Sequence, residues 1–386
     1  MDWFLNKSEQ VFQYSGNAGT GKSVVLNEII RRLGLKDYEV APMSYVGAAA
    51  IVMRNKGLYN ARTIHSWLYH AVEEEMRDEH GNVIMDEYLN RPKMKLAFAP
   101  KPLPMTIRLV VVDEAGMVPK EIAREIESRG VKVLACGDLD QLPPVAGDPG
   151  YLVNGKIHIL TDIMRQAENS GIVYLSRRAK EGLPIHYGRY NEVTVIDEED
   201  LDFNCMQYAD MVICGKNATR NKINKIIRED ILHRTDILPT HGDRLVCRKN
   251  NWSKECNGIN LVNGLIGNVY NYPDISSFNG DYFTIDFKPY CLNSVFPAIQ
   301  VDYNYFTTPC GDNRHLINTR FNSFEKFEYA YCITTHISQG SQYPRGIYFE
   351  EFLNKDINNN LNYTGITRFS QELIYIKRKP KFLSVK

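Results

Sequence analysis

At 386 residues, with 44% apolar and 24% charged side chains, the chain has an ordinary globular composition and enough length for two or more domains. It carries no run of 18 apolar residues and no basic-then-apolar leader in Met1-Asp2-Trp3-Phe4-Leu5-Asn6, which argues against membrane spanning and export and for a cytoplasmic protein. Lys+Arg and Asp+Glu each total 46, so no global positive field exists to hold a nucleic acid, and the eight cysteines include no Cys-x-x-Cys pair with metal-ligand spacing.

Val11 to Tyr14 is a short strand candidate, followed by Gly16-Asn17-Ala18-Gly19-Thr20-Gly21-Lys22-Ser23. That octet fits G-x-x-x-x-G-K-[ST], in which the glycines let the backbone curl so that successive N–H groups face one anion. Lys22 then reaches the outer phosphates of a nucleotide, and the Ser23 hydroxyl is suited to Mg²⁺. From Val24 to Leu33 apolar residues recur at steps of three and four, predicting a helix whose positive dipole end aims at those phosphates.

Tyr38 to Met43 reads as a strand and Gly47 to Met53 as a helix start rich in small residues. In Ala61-Arg62-Thr63-Ile64-His65-Ser66-Trp67 the hydroxyls of Thr63 and Ser66 suit phosphate oxygens and the Trp67 ring suits a stacked base, with a structural His65 as the plainer alternative. Residues 70–104 change character: a charge run from Glu73 to Glu79, a turn candidate at His80-Gly81-Asn82, and a proline-stiffened return past Lys93, Lys95 and Phe98. They read as a small insertion, bounded at about 69–104. Leu109-Val110-Val111-Val112 predicts a strand buried on both faces, with Asp113 and Glu114 at its carboxyl end, where α/β sheets place ligands. Asp113 is the expected metal residue and Glu114 the residue that polarises an attacking water. A helix is expected over Lys120–Glu127, then a buried strand from Val131 to Cys136 ending in Gly137-Asp138-Leu139-Asp140-Gln141-Leu142-Pro143-Pro144. The double proline fixes that loop and leaves Gln141 an amide able to donate to phosphate and accept from water.

These blocks, in this order and spacing, resemble superfamily 1 helicases of the RecD/Dda-like branch, with UvrD-like closing motifs. The resemblance rests on Gly16 to Ser23, Thr63-Ile64-His65-Ser66, Asp113-Glu114-Ala115-Gly116 and Gly137 to Pro144, and covers nearly the whole chain. It implies that Gln141 senses the terminal phosphate and that Arg165, in Leu160-Thr161-Asp162-Ile163-Met164-Arg165-Gln166, touches it across a cleft. It also implies that Thr335, His336, Ser338 and Gln339 hold DNA, with Gln342 on the nucleotide, and that Arg368, in Asn362-Tyr363-Thr364-Gly365-Ile366-Thr367-Arg368, is an arginine finger. Between these blocks, Ala209 to Cys214 predicts a strand. Short β segments at Arg244–Arg248, Leu265–Tyr270, Tyr282–Phe287 and Ala298–Phe306, with turns at Asn263-Gly264 and Asn279-Gly280, suggest a small inserted barrel.

Three departures stand out. The family's helix and adenine-reading glutamine before the phosphate loop have no counterpart at matching distance, since Gln10 and Gln13 lie too near Gly16. The family's cations in Thr-Gly-Lys/Arg-Ala-Ala and His-Lys-Ser-Gln-Gly are replaced by Ala48 and Ile337. Each lost phosphate contact lowers the salt dependence of DNA binding by nearly one unit of slope.

The expected architecture is α/β with two RecA-like domains. One spans 1–167, with its insertion; the other spans 168–386, with an SH3-like β insert at about 243–325. The expected activity is ATP- and Mg²⁺-dependent translocation on single-stranded DNA and unwinding at duplex junctions. The implied direction is 5′-to-3′, with Phe98 as a strand-separating wedge and replication or recombination proteins as partners, in the cytoplasm of a bacterial or phage-infected cell. Two rivals are a nucleotide-dependent DNA-binding subunit that does not unwind alone, and a P-loop ATPase acting on protein or RNA.

Overall fold

The computed structural model describes residues 2–5, 9–85, 91–144, 147–161, 169–257, 259–271, 280–308, 324–353 and 357–378. The first sheet is wholly parallel. Its six strands run in the order Arg62–Thr63, Val40–Ser44, Leu109–Asp113, Lys132–Gly137, Val11–Gly16, Ile157–Leu160. The apolar run of Leu109–Val112 is explained by its two faces. Leu109 and Val111 pack with Tyr14, Leu26 and Met53 on one side, while Val110 and Val112 pack with Ile64, Ala123 and Ile126 on the other. The helices Lys22–Leu33 and Lys120–Glu127 form as expected from their spacing. The first of them ends on Gly34 at φ 66, where a left-handed cap costs glycine least.

The second sheet follows the order Cys332–Thr334, Met211–Cys214, Tyr343–Phe349, Phe369–Lys377, Val193–Asp197, Gly188–Tyr190, antiparallel only at its last pair. Together the two parallel sheets make the expected α/β architecture. A third, antiparallel sheet of five strands is ordered Phe296–Asp302, Tyr282–Pro289, Ile266–Val269, Arg244–Cys247, Phe327–Tyr329. The segment expected as a strand over Ala298–Phe306 splits here. Its pairing ends at Asp302, whose carboxylate accepts from Tyr305 N at 2.8 Å and caps a short helix, Tyr303–Thr307. Phe283, Phe287, Phe296 and Phe327 are buried in this sheet's core, as apolar packing predicts, along with Ile51 from the helix Gly47–Asn55.

Tyr69–Glu75 pairs antiparallel with Met94–Pro100, a hairpin arrangement within the expected insertion. The stiff return path is therefore a paired strand, and the Asp78 carboxylate, accepting from His80 N and Asn82 N, shapes the expected turn.

A buried charge network anchors the start of the third sheet. Asp243, fully buried, accepts from Arg228 Nε at 3.1 Å, Arg234 Nη1 and Tyr331 Oη at 2.6 Å and Thr240 N at 2.7 Å. Removing one partner of a buried pair strands the other charge. Asp243→Ala is expected to destabilise the protein by about 3 kcal/mol, read as a lowered calorimetric melting temperature. An unchanged melt would show that the network carries no net stability.

Candidate nucleotide and nucleic-acid site

Register brings four strand ends to one edge of the first sheet. Ser15 pairs with Gly137, Ser44 with Asp113, and the phosphate loop follows Gly16 directly. This is the edge at which open α/β sheets bind ligands. Gly19 and Gly21 adopt φ 83 and 77, turning the loop into the helix Lys22–Leu33. Gly16 has a different constraint: a Cβ there would lie 2.3 Å from Thr20 Oγ1. Thr20 Oγ1 donates to Asn17 O at 2.9 Å, and Lys22 Nζ donates to Gly16 O at 2.6 Å and Asn17 O at 3.2 Å. Tyr14 Oη donates to Lys22 O at 3.0 Å, and Lys56 Nζ donates to Ser23 Oγ at 3.0 Å.

Asp113 Oδ1 accepts from Glu114 N at 3.0 Å and from the Cys136 thiol at 3.3 Å. Glu114 stands at φ 52, a left-handed conformation that non-glycine residues adopt at a cost and that recurs at functional sites. Its carboxyl is pushed above the usual range by burial, with the Asp113 and Asp138 charges adding to this and the Arg368 and Lys22 cations opposing it. One carboxylate thus feels a cation from each parallel sheet. Among the described residues no group of three or more His, Cys, Asp or Glu is arranged to hold a metal. Mg²⁺ would rely on Ser23 and Asp113, a sparse set that suits an ion which keeps its waters and takes phosphate oxygens.

The loop Asp138–Leu142 carries the link to the second sheet. Gln141 is buried and its Oε1 has no hydrogen-bond partner among the described residues. Leu142 N donates to Thr364 Oγ1 at 3.0 Å, and Gln339 Nε2 donates to Leu142 O at 3.1 Å. Asn360 Nδ2 reaches Asp140 O at 2.9 Å. Small residues permit this approach, since a Cβ at Gly340 would lie 2.7 Å from Ala49 Cβ and one at Gly47 would lie 2.1 Å from Val262 Cγ2. The position of the missing family cation, Ala48, is thus flanked by two residues under a close contact.

Arg368 is buried, donating through Nε to Thr364 O at 3.1 Å, through Nη1 to Ser341 O at 3.3 Å and through Nη2 to Thr367 Oγ1 at 3.3 Å. Gln342 lies exposed between Ser341 and the strand Tyr343–Phe349. Arg165 falls outside the described residues. Gln10 and Gln13 are structural: the first donates to Glu127 O and Val131 O, the second exchanges bonds with Leu152 N and Asn154 O.

Several nucleic-acid expectations need correction. Trp67 is buried and its indole donates to Pro42 O at 3.0 Å, so the ring is core and unavailable to stack on a base. The Thr63 hydroxyl caps the helix Ile64–Leu68 by accepting from Ser66 N at 3.2 Å. Thr335, Ser338 and Gln339 have no exposed surface: the Thr335 hydroxyl donates to Cys214 O and the Ser338 hydroxyl to Thr335 O, both within the second sheet's own elements, and only Gln339 reaches across to Leu142 O, so none of the three lines a groove. His336 keeps partial exposure, and burial lowers its pKa.

His65 is better placed. Its ring lies 6.0 Å from Tyr45, 5.7 Å from Tyr69, 6.2 Å from Phe98 and 6.3 Å from Trp252, the last stacked. Phe98, expected as a wedge, pairs with Ala71 two residues from the end of the pairing of Tyr69–Glu75 with Met94–Pro100. Beside this cluster is a cleft lined by Arg54, Arg62, Thr63, Ser66, Trp252 and Asn260, where cations, hydroxyls and an aromatic ring meet. Asp138 and Tyr363 lie inside the motif blocks Gly137 to Pro144 and Asn362 to Arg368, where no role of their own was expected, and Trp252 lies in no motif.

A family profile described as the AAA domain matches residues 1–200. The ATP-dependent DNA helicase RRM3 of Saccharomyces cerevisiae is 28% identical over 221 residues, 50% of this chain and 26% of its own length. The ATP-dependent DNA helicase Pif1 of Campylobacter jejuni is 26% identical over 249 residues, 57% of this chain and 53% of its own. The chain thus spans about a quarter to a half of these relatives. In fold it is similar to Pif1 helicase from Bacteroides in complex with ADP-AlF3 and ssDNA, with a TM-score of 0.52 and 17% identity over 96% of this chain and 89% of that one. Pif1 helicase from Candida albicans gives a TM-score of 0.52 and 16% identity over 96% and 91%. With the phosphate loop, the acidic strand end and the second sheet in place, the chain belongs to the AAA domain family, and its similarities run to Pif1 helicases.

Proposed function

We propose that this chain is an ATP-driven translocase and helicase on single-stranded DNA, moving 5′-to-3′. The supporting observation is that Glu114, on the first sheet, lies within the electrostatic reach of both Lys22 and Arg368, which come from different sheets. A nucleotide between them would have its phosphates cradled by Gly16 to Ser23, with Lys22 on the outer phosphates. Glu114 would orient and polarise water, Gln141 would sense the terminal phosphate, and Arg368 would neutralise its developing charge, with Arg165 and Gln342 assigned to the same cleft by resemblance. Ser23 and Asp113 would hold Mg²⁺, which when bound would supply charge neutralisation to the phosphates.

In this reading residues 1–167 and 168–386 are the two moving bodies, with the hairpin at 69–104 and the β insert at 243–325 as accessories. Single-stranded DNA runs past Thr63, His65, Ser66 and His336, and the Arg54 and Arg62 cleft supplies cations absent at Ala48 and Ile337. Binding energy that differs between open and closed clefts converts turnover into stepping. The partners are junctions of duplex and single strand, with replication or recombination proteins alongside.

Unwinding of 5′-tailed and 3′-tailed duplexes in MgATP is the test. Displacement of the 5′-tailed substrate alone is expected. Displacement of neither, with ATP still consumed, would favour a DNA-gripping subunit, and preference for the 3′ tail would reverse the direction.

A further inference from the structure

Tyr363 belongs to the helix Asn358–Ile366 of the second sheet, yet its hydroxyl sits in the phosphate loop. It accepts from Ala18 N at 3.1 Å and donates to Asp138 Oδ2 at 2.5 Å. The ring and Asp138 are both almost fully buried. The same Asp138 oxygen is 3.7 Å from Lys22 Nζ, and the other oxygen accepts from Asp140 N at 3.0 Å. Ala18 and Tyr363 lie 345 residues apart in sequence, so this one hydroxyl ties the loop to the element that leads into Arg368.

The chemistry of the three groups sets up a competition. A phenol hydroxyl has one proton to give and lone pairs to accept with, and a backbone amide has a single proton. A phosphate oxygen only accepts, so a phosphate seated in the loop and the Tyr363 hydroxyl call on the same Ala18 N–H. Asp138 gives the hydroxyl somewhere to stay. When Lys22 turns from Gly16 O and Asn17 O toward phosphate, the phenol O–H still donates to the Asp138 carboxylate. The hydroxyl can give up Ala18 without leaving a buried carboxylate unpartnered.

We propose that Tyr363 is a positioning residue that competes with nucleotide phosphate for the Ala18 N–H, so that seating the nucleotide unties the helix Asn358–Ile366 from the phosphate loop. The inference rests on the nucleotide-binding reading above. It makes nucleotide affinity and the tie between this helix and the phosphate loop two sides of one exchange, because the displaced bond is that tie. Asn360 and Thr364 keep the helix on the loop Asp138–Leu142 meanwhile.

The test is calorimetric titration of the whole chain with MgATPγS. Tyr363→Phe keeps the ring and deletes the competitor, and is expected to bind about fivefold more tightly than wild type, the worth of one net hydrogen bond. A role limited to holding the fold would not tighten binding. Equal affinity overturns the proposal, and weaker binding overturns it by assigning the hydroxyl to the bound nucleotide. If the variant does not fold, 3-fluorotyrosine placed at 363 in the otherwise wild-type chain gives a ¹⁹F resonance. That resonance is expected to shift with the calorimetric Kd, and a resonance unmoved at saturation overturns the proposal. Wild-type protein that binds no MgATPγS removes the nucleotide reading itself and this proposal with it, whereas binding in which Tyr363→Phe matches wild type removes the proposal alone.

Discussion

Lys22→Ala is expected to lower ATP hydrolysis by about a thousandfold, the upper range for deleting one donor aimed at developing charge. The Lys22 ammonium is tethered by Gly16 O and Asn17 O at the root of the loop, a short swing from the phosphates the loop would hold. It also balances Asp138 at 3.7 Å. Removing it costs the site twice: the phosphates lose a cation, and a buried carboxylate is left facing them. Phosphate release measured at saturating MgATP checks this, and turnover near the wild-type rate would remove the loop from the chemistry.

Arg368→Ala is expected to cost a similar factor, about a thousandfold in turnover, while ATPγS still binds. Its guanidinium is held by Thr364 O, Ser341 O and Thr367 Oγ1, so it is oriented before any substrate arrives. Its charge already lowers the proton affinity of Glu114. Losing it therefore removes transition-state charge compensation and lets the Glu114 carboxyl rise further, both of which slow hydrolysis. Arg368→Lys should recover little, because a point ammonium does not replace a planar fork held by three acceptors. Single-turnover hydrolysis alongside an ATPγS titration separates the two effects. An unchanged rate would mean that the second sheet does not complete the site.

Much of this arrangement was legible in the residues. The phosphate loop is a local device, and a glycine pattern with Lys and Ser specifies it almost without context. Leu109–Val112 announced a strand buried on both faces, and the two cores that clasp it account for every apolar residue in the run. What failed to show was long-range. Trp67 and His65 stand two residues apart, but only the fold decides that one indole enters the core and bonds Pro42 while the imidazole joins rings from the hairpin and from Trp252. Thr335, Ser338 and Gln339 are polar and look suited to a ligand, yet their partners are the carbonyls of Cys214, of Thr335 itself and of Leu142. Tyr363 meets Ala18 across most of the chain length, and no periodicity encodes such a meeting.

In the proposed cycle ATP hydrolysis draws on groups from both large sheets and is tied to grip on a single strand. Steady-state phosphate release by the wild-type chain, with and without saturating single-stranded DNA, tests it most directly. Strong stimulation by DNA is expected, and its loss in Arg368→Ala. A rate indifferent to DNA would contradict it.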